Sequence, residues 1–398
     1  MKVMIVFGTR PELIKFVPVI YALRDSTELS VVHTMQHEEL TDDILDFFKI
    51  KPDYQAPELL NISMAKSTMN RFGGDLPDIM REVKPHLVLV QGDTLTAFIG
   101  AMVAFELKIP VLHLEAGLRT GNRFSPYPEE ILRMLITQIA EFHFAPTPVA
   151  AKELLSKGIP RDRVYVTGNT VIDAAILTSK MLTEETNQLA MSKVRNGNSC
   201  GKDPKDLVLI TAHRNENIGL PLKNICQSVK QLCLDYPDIH FIWLLHKNPK
   251  VRKIVLEELA SVSSNMCLIE AVSYPLMIWL MKWSKCILTD SGGIQEEATA
   301  LHVPLIILRE HTERPETLNV LNAKLVGSNP ELIVSAFNSL MNSGMQAINQ
   351  PSPFGDGNTS VRLKQFLGHP ETQKYLMNYP DSADFIFSRS EEWMKVDI

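Results

Sequence analysis

Apolar residues in this chain fall into short unbroken runs, separated by longer stretches in which they recur every three or four positions. Val3–Phe7 is such a run and predicts a strand buried on both faces. Leu13–Leu23 follows with helical spacing, and Pro11 stands at its first turn, where a missing N–H costs nothing. The same alternation predicts strands at Leu29–Thr34, Leu87–Gln91 and Val111–Leu114, with helices over Asp42–Phe48, Met69–Glu82 and Thr94–Leu107. After Thr170 it resumes, with strands at Leu207–Thr211, His240–Leu245, Met266–Ile269, Cys286–Leu288 and Leu305–Leu308. Strands separated by helix-length segments predict parallel sheets covered by helices on both faces. A chain of 398 residues exceeds what one core organises, so two α/β domains are expected, with the polar segment Arg195–Lys205 a loop near the start of the second.

Composition narrows the class. An apolar content of 45% with 22% charged residues is that of a soluble globular enzyme, and a net charge of −6 argues against nucleic acid as the main partner. Five cysteines without C-x-x-C or Cys/His ligand spacing predict reduced thiols, no structural zinc and a cytoplasmic setting. Val3–Phe7 is too short for a signal-peptide core, and the best apolar stretch elsewhere, Phe241–Leu245, is far from a membrane span, so no membrane partner is expected.

Doubly wound domains bind ligands at the carboxyl ends of their strands. In this sequence the residues with chemistry follow predicted strands: Arg10, Asp93, Glu115, His213, His246 and Ser291. The segment TDSGGIQEE, Thr289 to Glu297, breaks a strand at Asp290-Ser291-Gly292-Gly293 and restarts as a helix. Its free N–H groups and the helix dipole suit an anion such as phosphate, and Glu296 or Glu297 suits a ribose diol. The same residues also read as a plain helix start capped by Asp290 or Ser291. Arg10 and Lys15 place two cations near another helix start. Asp93, Glu115 and Glu129 are candidates for general acid and base, although Asp93 also reads as a cap for the helix at Thr94 and Glu129 as a first-turn acid after Pro128. Arg119 and Arg133 suit substrate clamps or partners for these acids, and His213-Arg214 suits a diphosphate leaving group. The charged loop Thr312-Glu313-Arg314-Pro315-Glu316 is expected beside the Ser-Gly-Gly turn.

FGTRPELIK, Gln36-His37, GDT, EAGLRTG, SPYPEE, TGNTVIDA, AHR, HKNP, LTDSGGIQEE and ERPE occur in one order over roughly Met1 to Leu367. In this the chain resembles the non-hydrolysing UDP-N-acetylglucosamine 2-epimerases. The resemblance implies two Rossmann-like domains of the GT-B glycosyltransferase type with the active site in the interdomain cleft. The first would span residues 1–172, completed by a C-terminal helix from about 360, and the second, binding UDP, residues 173–359. It implies interconversion of UDP-N-acetylglucosamine and UDP-N-acetylmannosamine by elimination and re-addition of UDP through 2-acetamidoglucal, with no metal or cofactor, in a homodimer. Asp93, Glu115, Glu129 and His213 would be catalytic. Arg10, Lys15, Arg133, Ser291, Gly292, Gly293 and Glu297 would hold the substrate. Gln36, His37, Arg214 and His246 match positions of an activating second UDP-N-acetylglucosamine. The chain departs from the pattern at Asn215, at Thr317-Leu318 after ERPE, at Glu38-Glu39 and in a short Ala56–Arg71 stretch. These departures bear on the activating site and the choice of sugar, and they motivate a second reading, an epimerase of a modified UDP-sugar such as an N-acetylated aminouronic acid. A hydrolysing relative fits Arg10-Pro11 and Lys15 less well, and a glycosyltransferase or a nucleotide-sugar sensor of the same fold would not need the three acids.

Overall fold

The computed structural model describes residues 1–36, 41–57, 74–124, 126–197, 206–259, 263–320, 322–342 and 351–381. They form two compact units, one from Met1 to Ala174 with the segment from Phe354 onward, the other from Ala175 to Pro353. The first holds a parallel sheet of strands β1 (Lys2–Phe7), β2 (Glu28–His33), β3 (Tyr54–Gln55), β4 (Leu87–Gln91), β5 (Val111–Leu114), β6 (Phe142–Ala145) and β7 (Val164–Val166), in the order β3-β2-β1-β4-β5-β6-β7. The second holds β8 (Leu207–Thr211), β9 (His240–Leu245), β10 (Met266–Glu270), β11 (Ser284–Thr289), β12 (Leu305–Ile307) and β13 (Lys324–Leu325), in the order β10-β9-β8-β11-β12-β13. Helices connect the strands, and because they cover both faces the central strands are buried along their whole length: every residue of β9 is buried, as is Val3–Phe7.

Both sheets reverse their winding at the first strand, between β1 and β4 and between β8 and β11. At such a point the connections leave neighbouring strands toward opposite faces, and a crevice opens between them. The reversal brings the turn after β1, Gly8-Thr9-Arg10, beside Asp93 after β4, and His213 after β8 beside Asp290-Ser291 after β11.

The chain returns to the first unit through a small set of buried contacts. Asn169 N–H donates to Phe354 C=O at 2.7 Å, and Gly168, at φ +91°, faces Gly355 so closely that a Cβ would lie 3.0 Å from its Cα. The helix Thr359–Gly368 is tied down at its start by Asp173, whose Oδ1 accepts from Ser360 N–H and Oγ–H at 2.8 and 2.7 Å. Burial raises the proton affinity of Asp173, and those hydrogen bonds oppose it. Phe366 then enters an aromatic group with Phe142, Phe144 and Tyr165, while the Arg163 guanidinium covers Phe142 and Tyr375. Removing a ring of this kind costs about 3–5 kcal/mol, a large part of the stability of one domain.

Four strands go beyond those expected from the hydrophobic pattern. Tyr54–Gln55 and Lys324–Leu325 are two-residue edges set by their neighbours, and Val164–Val166 is too short to show a period. Phe142–Ala145 carries His143, which breaks the apolar run, yet that side chain is buried. The helix expected over Met69–Glu82 is Leu76–Val83, with Pro77 in its first turn; residues 58–73 lie outside the described residues. Among the described residues no helix is long and apolar enough to cross a membrane. Cys226, Cys233 and Cys286 are buried free thiols and Cys267 is buried too, and burial pushes the first two up to about 12, far from thiolate chemistry.

Buried neutral histidines couple the first sheet to pH. His113 and His143 are register neighbours on β5 and β6, and burial lowers them to about 4 and about 3 from the ordinary 6.5 of a histidine. The unfolded chain binds these protons first, so their contribution to stability is intact above about pH 6.5 and is lost as pH falls toward the folded values. At about 1.4 kcal/mol per unit, His113 alone accounts for on the order of 3 kcal/mol. Urea unfolding between pH 7.5 and 5 should show the midpoint falling, with a shallower fall in His143→Leu. Comparison with the parent separates the histidine from Glu12 and Asp173, whose raised proton affinity works in the opposite sense. Equal slopes for parent and variant would refute this account.

Candidate active site

The turn after β1 is closed by its own helix. Thr9 caps the helix Arg10–Leu23, and Glu12 reaches back so that Oε2 accepts from Gly8 N–H at 3.0 Å, Thr9 N–H at 2.8 Å and Thr9 Oγ–H at 2.8 Å. Its Oε1 accepts from Thr94 Oγ–H, so one carboxylate joins the turns after β1 and β4. Burial raises the proton affinity of Glu12, and these donors oppose it. This helix start therefore answers its donors internally. Arg10 pairs with Asp43 at 3.4 Å.

Thr94 also caps the helix Leu95–Glu106 by accepting from Ala97 N–H at 2.9 Å. The capping alternative for Asp93 is thereby corrected: the hydroxyl one residue later takes that position. Asp93 instead accepts from Arg133 Nε–H at 2.8 Å, with Nη2 of the same guanidinium at 2.6 Å. Arg133 stands in the second turn of the helix Glu129–Ile139 and also donates to Glu130 at 3.0 Å. Although burial pulls its proton affinity down, the charge of Asp93 and the hydrogen bonds to Glu130 and Asp93 leave it raised. Arg133 is thus a partner of the acid. Arg119 is turned to structure, donating to Leu118 C=O and Thr137 Oγ at 2.7 Å each.

Glu115 follows β5 with φ at +60°, a conformation that costs a residue with a Cβ about 1–3 kcal/mol and accumulates at functional sites. Its carboxylate meets Lys15, and Gln91 Nε2–H donates to it at 2.6 Å. The Lys15 ammonium lies on this acid. Glu129 and Glu130 divide differently from their sequence. Glu130 is buried and accepts from Thr120 N–H at 3.1 Å, whereas Glu129 Oε2 is buried without a hydrogen-bond partner.

In the second unit Asp290 is fully buried. Its Oδ2 accepts from His213 N–H and Arg214 N–H at 2.8 Å each and from Asn217 Nδ2–H at 2.9 Å. It does not cap the helix Gly292–Leu301, and Ser291, at the capping position, makes no side-chain cap either. The first N–H groups of that helix are therefore left without a side-chain acceptor. The Arg314 guanidinium lies over Gly292, where a Cβ would approach it to 2.5 Å, while a Cβ at Gly293 would meet nothing within 4 Å. Arg314 pairs with Glu296 and with Glu313 at 3.3 Å, and Arg309 bridges Glu216 at 2.7 Å and Glu313 at 3.8 Å. The ERPE loop does stand at the turn, where Arg314 engages Glu296, and Glu297 is buried on the same helix.

His213 stacks on His246 with ring centroids 4.8 Å apart, and burial, followed by the opposing charge of Asp290, leaves its proton affinity lowered. Arg214 and His246 share this corner of the second unit. Gln36 belongs to the first unit, where its Oε1 accepts from Thr96 Oγ–H at 2.8 Å, and His37 lies outside the described residues. Glu12, Gln91, Glu130, Asn217 and Arg309 escaped the sequence reading. Only Glu12 carried a local signal, the T-x-x-E capping box Thr9-Arg10-Pro11-Glu12.

Two doubly wound domains with ionisable groups gathered at their winding reversals define a class of α/β proteins built to take a nucleotide-type ligand. A family model described as UDP-N-acetylglucosamine 2-epimerase matches residues 22–368. The chain is 43% identical over 373 residues to a UDP-N-acetylglucosamine 2-epimerase of Neisseria meningitidis, covering 92% of this chain and 99% of that relative. The N. meningitidis UDP-GlcNAc 2-epimerase bound to UDP-GlcNAc is similar in structure, with a TM-score of 0.81 at 42% identity, over 93% of this chain and 100% of that one. The Methanocaldococcus jannaschii enzyme in complex with UDP-GlcNAc and UDP gives 0.75 at 36% identity, over 92% and 99%. The chain belongs to the UDP-N-acetylglucosamine 2-epimerase family.

The two glycines of the turn should separate in a stability measurement. Gly292→Ala must displace a guanidinium held by two carboxylates and should cost about 1–3 kcal/mol. Gly293→Ala adds a methyl to open space in a helical turn and should be neutral or gain up to about 1 kcal/mol. Thermal unfolding of both checks the order, and a Gly292→Ala protein as stable as the parent would refute the packing argument.

Proposed function

We propose that this chain interconverts UDP-N-acetylglucosamine and UDP-N-acetylmannosamine. The proton at carbon 2 is weakly acidic, so its loss is coupled to departure of UDP from carbon 1. A carboxylate takes the proton, the C1–O bond breaks toward UDP, and 2-acetamidoglucal forms with a double bond between the two carbons. UDP then adds back at carbon 1 while a proton is delivered to the opposite face of carbon 2. The observation that carries this reading is the acid set. Asp93 is relieved of capping by Thr94, Glu115 is held in a left-handed conformation, and Glu129 keeps a buried oxygen without a partner. A glycosyltransferase of the same fold needs a turn for the diphosphate but not these three acids.

In this mechanism Asp93, Glu115 and Glu129 exchange the protons, while Arg133, paired with Asp93, and Lys15, paired with Glu115, hold the substrate beside them. The N–H groups at Gly292 and Gly293, the Ser291 hydroxyl and His213 receive the diphosphate, Arg10 adds a cation, and Glu297 takes the ribose. The first domain thus supplies the sugar chemistry and the second holds UDP, in a cytoplasmic homodimer. Gln36, His37, Arg214 and His246 are proposed for an activating UDP-sugar.

UDP-N-acetylglucosamine incubated with the protein in deuterium oxide should yield UDP-N-acetylmannosamine labelled at carbon 2, as read by NMR. Absence of label from both UDP-sugars, or stoichiometric release of UDP, would sink the mechanism. Asp93→Asn and Glu129→Gln should each lose turnover by roughly 100-fold or more while still binding UDP. The departures at Asn215 and at Thr317-Leu318, where the family pattern has a small-aliphatic pair, motivate a modified sugar as the second reading, and the Thr317 hydroxyl is buried without a partner. Turnover of UDP-N-acetylglucosamine alone from a panel of UDP-sugars would eliminate it.

A further inference from the structure

We infer that Asp290 is a positioning residue for His213, fixing the ring with its proton on Nδ1 and presenting Nε2 to the leaving and returning diphosphate; this rests on the epimerase reading above. Asp290 is wholly buried, and its two oxygens have different surroundings. Oδ2 takes the two backbone N–H groups and the Asn217 amide. Oδ1 is buried with no hydrogen-bond partner and lies 3.5 Å from His213 Nδ1. An unanswered carboxylate oxygen in that setting is costly, and a modest turn of the imidazole supplies its donor. The three bonds on Oδ2 fix the carboxylate plane, so Oδ1 has a defined direction, and they hold the backbone of His213 itself.

The placement joins two parts of the site. Asp290 stands between the strand Ser284–Thr289 and Ser291-Gly292-Gly293, so one residue sets both the turn and the histidine that follows the adjacent strand. It also explains why the turn lacks a cap: the carboxylate best placed in sequence to cap it points sideways to His213. With Nδ1–H on Asp290, the negative charge supports the imidazolium that donates to the departing oxygen, and Nε2 takes the proton back on return. Three groups face His213: Asp290 from the end of β11, His246 stacked on its ring from the end of β9, and Arg214 from its own loop. Of these only Asp290 favours the protonated ring.

The tautomer is directly measurable in the full chain labelled with 15N-histidine, with His213 assigned by the signal missing from His213→Gln. Long-range 1H–15N correlation above pH 8 should show the neutral ring of His213 protonated at Nδ1, with and without UDP. A ring protonated at Nε2 would overturn the inference, whether or not the protein proves to be an epimerase. In Asp290→Asn the side-chain carbonyl can keep the donors now on Oδ2, while the amide turned to His213 can no longer accept. That variant should lose the Nδ1–H preference, lower kcat by roughly 100-fold with KM changed little, and shift the His213 limb of the pH profile to lower pH. In a His213→Gln background the same substitution should cost less than about threefold. An equal loss in both backgrounds, or a loss confined to KM and stability, would mean that Asp290 only holds the loop.

Discussion

Asp290 carries a carboxylate with no exposure to water, and such a group is tolerable only where donors replace its hydration. Those donors are the backbone of His213 and Arg214 and the amide of Asn217, all from the connection after the neighbouring strand. The turn after β11 and the turn after β8 are consequently one object. If the carboxylate had capped its own helix instead, the N–H groups of Gly292 and Gly293 would face a resident acceptor, and the loop with His213 would lose three of its hydrogen bonds. Everything proposed for the diphosphate depends on that choice of direction.

The first domain meets the same problem with the opposite solution. At the end of β1 the buried carboxylate is Glu12, and it turns back on its own helix, filling the N-terminus that the second domain leaves open. Its other oxygen accepts from Thr94, so the turn that carries Asp93 is set by a carboxylate from the turn after β1. Two winding reversals of the same topology thus differ in kind. One is closed by an internal carboxylate and surrounded by acids, the other has no side-chain cap.

Charge compensation accounts for much of the remaining polar structure. Arg133 lies between Asp93 and Glu130, Lys15 meets Glu115, and Arg309 and Arg314 alternate with Glu216, Glu313 and Glu296. Paired charges of this sort hold one another's geometry at little net gain in stability, because desolvation offsets the attraction. Their value is positional. Glu129 differs in having an oxygen outside this pairing, beside a Glu130 that is fully engaged. A sequence of two adjacent glutamates gives no reason to prefer either; which one faces the backbone of Thr120 is decided by the path of the chain before the helix.

The sequence by itself determined the two parallel α/β sheets, because continuous apolar runs alternating with helical spacing allow few other arrangements. It also indicated that ionisable residues collect where strands end, and the family pattern was readable in motifs whose glycines and acids keep their order. The short strands Tyr54–Gln55 and Lys324–Leu325 were not legible, since two residues carry no period and pair only because a neighbour is already in place. Phe142–Ala145 was hidden by His143, whose burial as a neutral ring is a tertiary effect. Tertiary structure alone decided the partners of the polar groups: that Thr94 and not Asp93 caps a helix, that Lys15 meets Glu115 a hundred positions away, and that Asp290 turns from its own helix to His213. Local sequence specifies which donors and acceptors exist, but a buried polar group is satisfied by whichever partner packing brings within reach, and that is settled only when separate strands come together in one sheet.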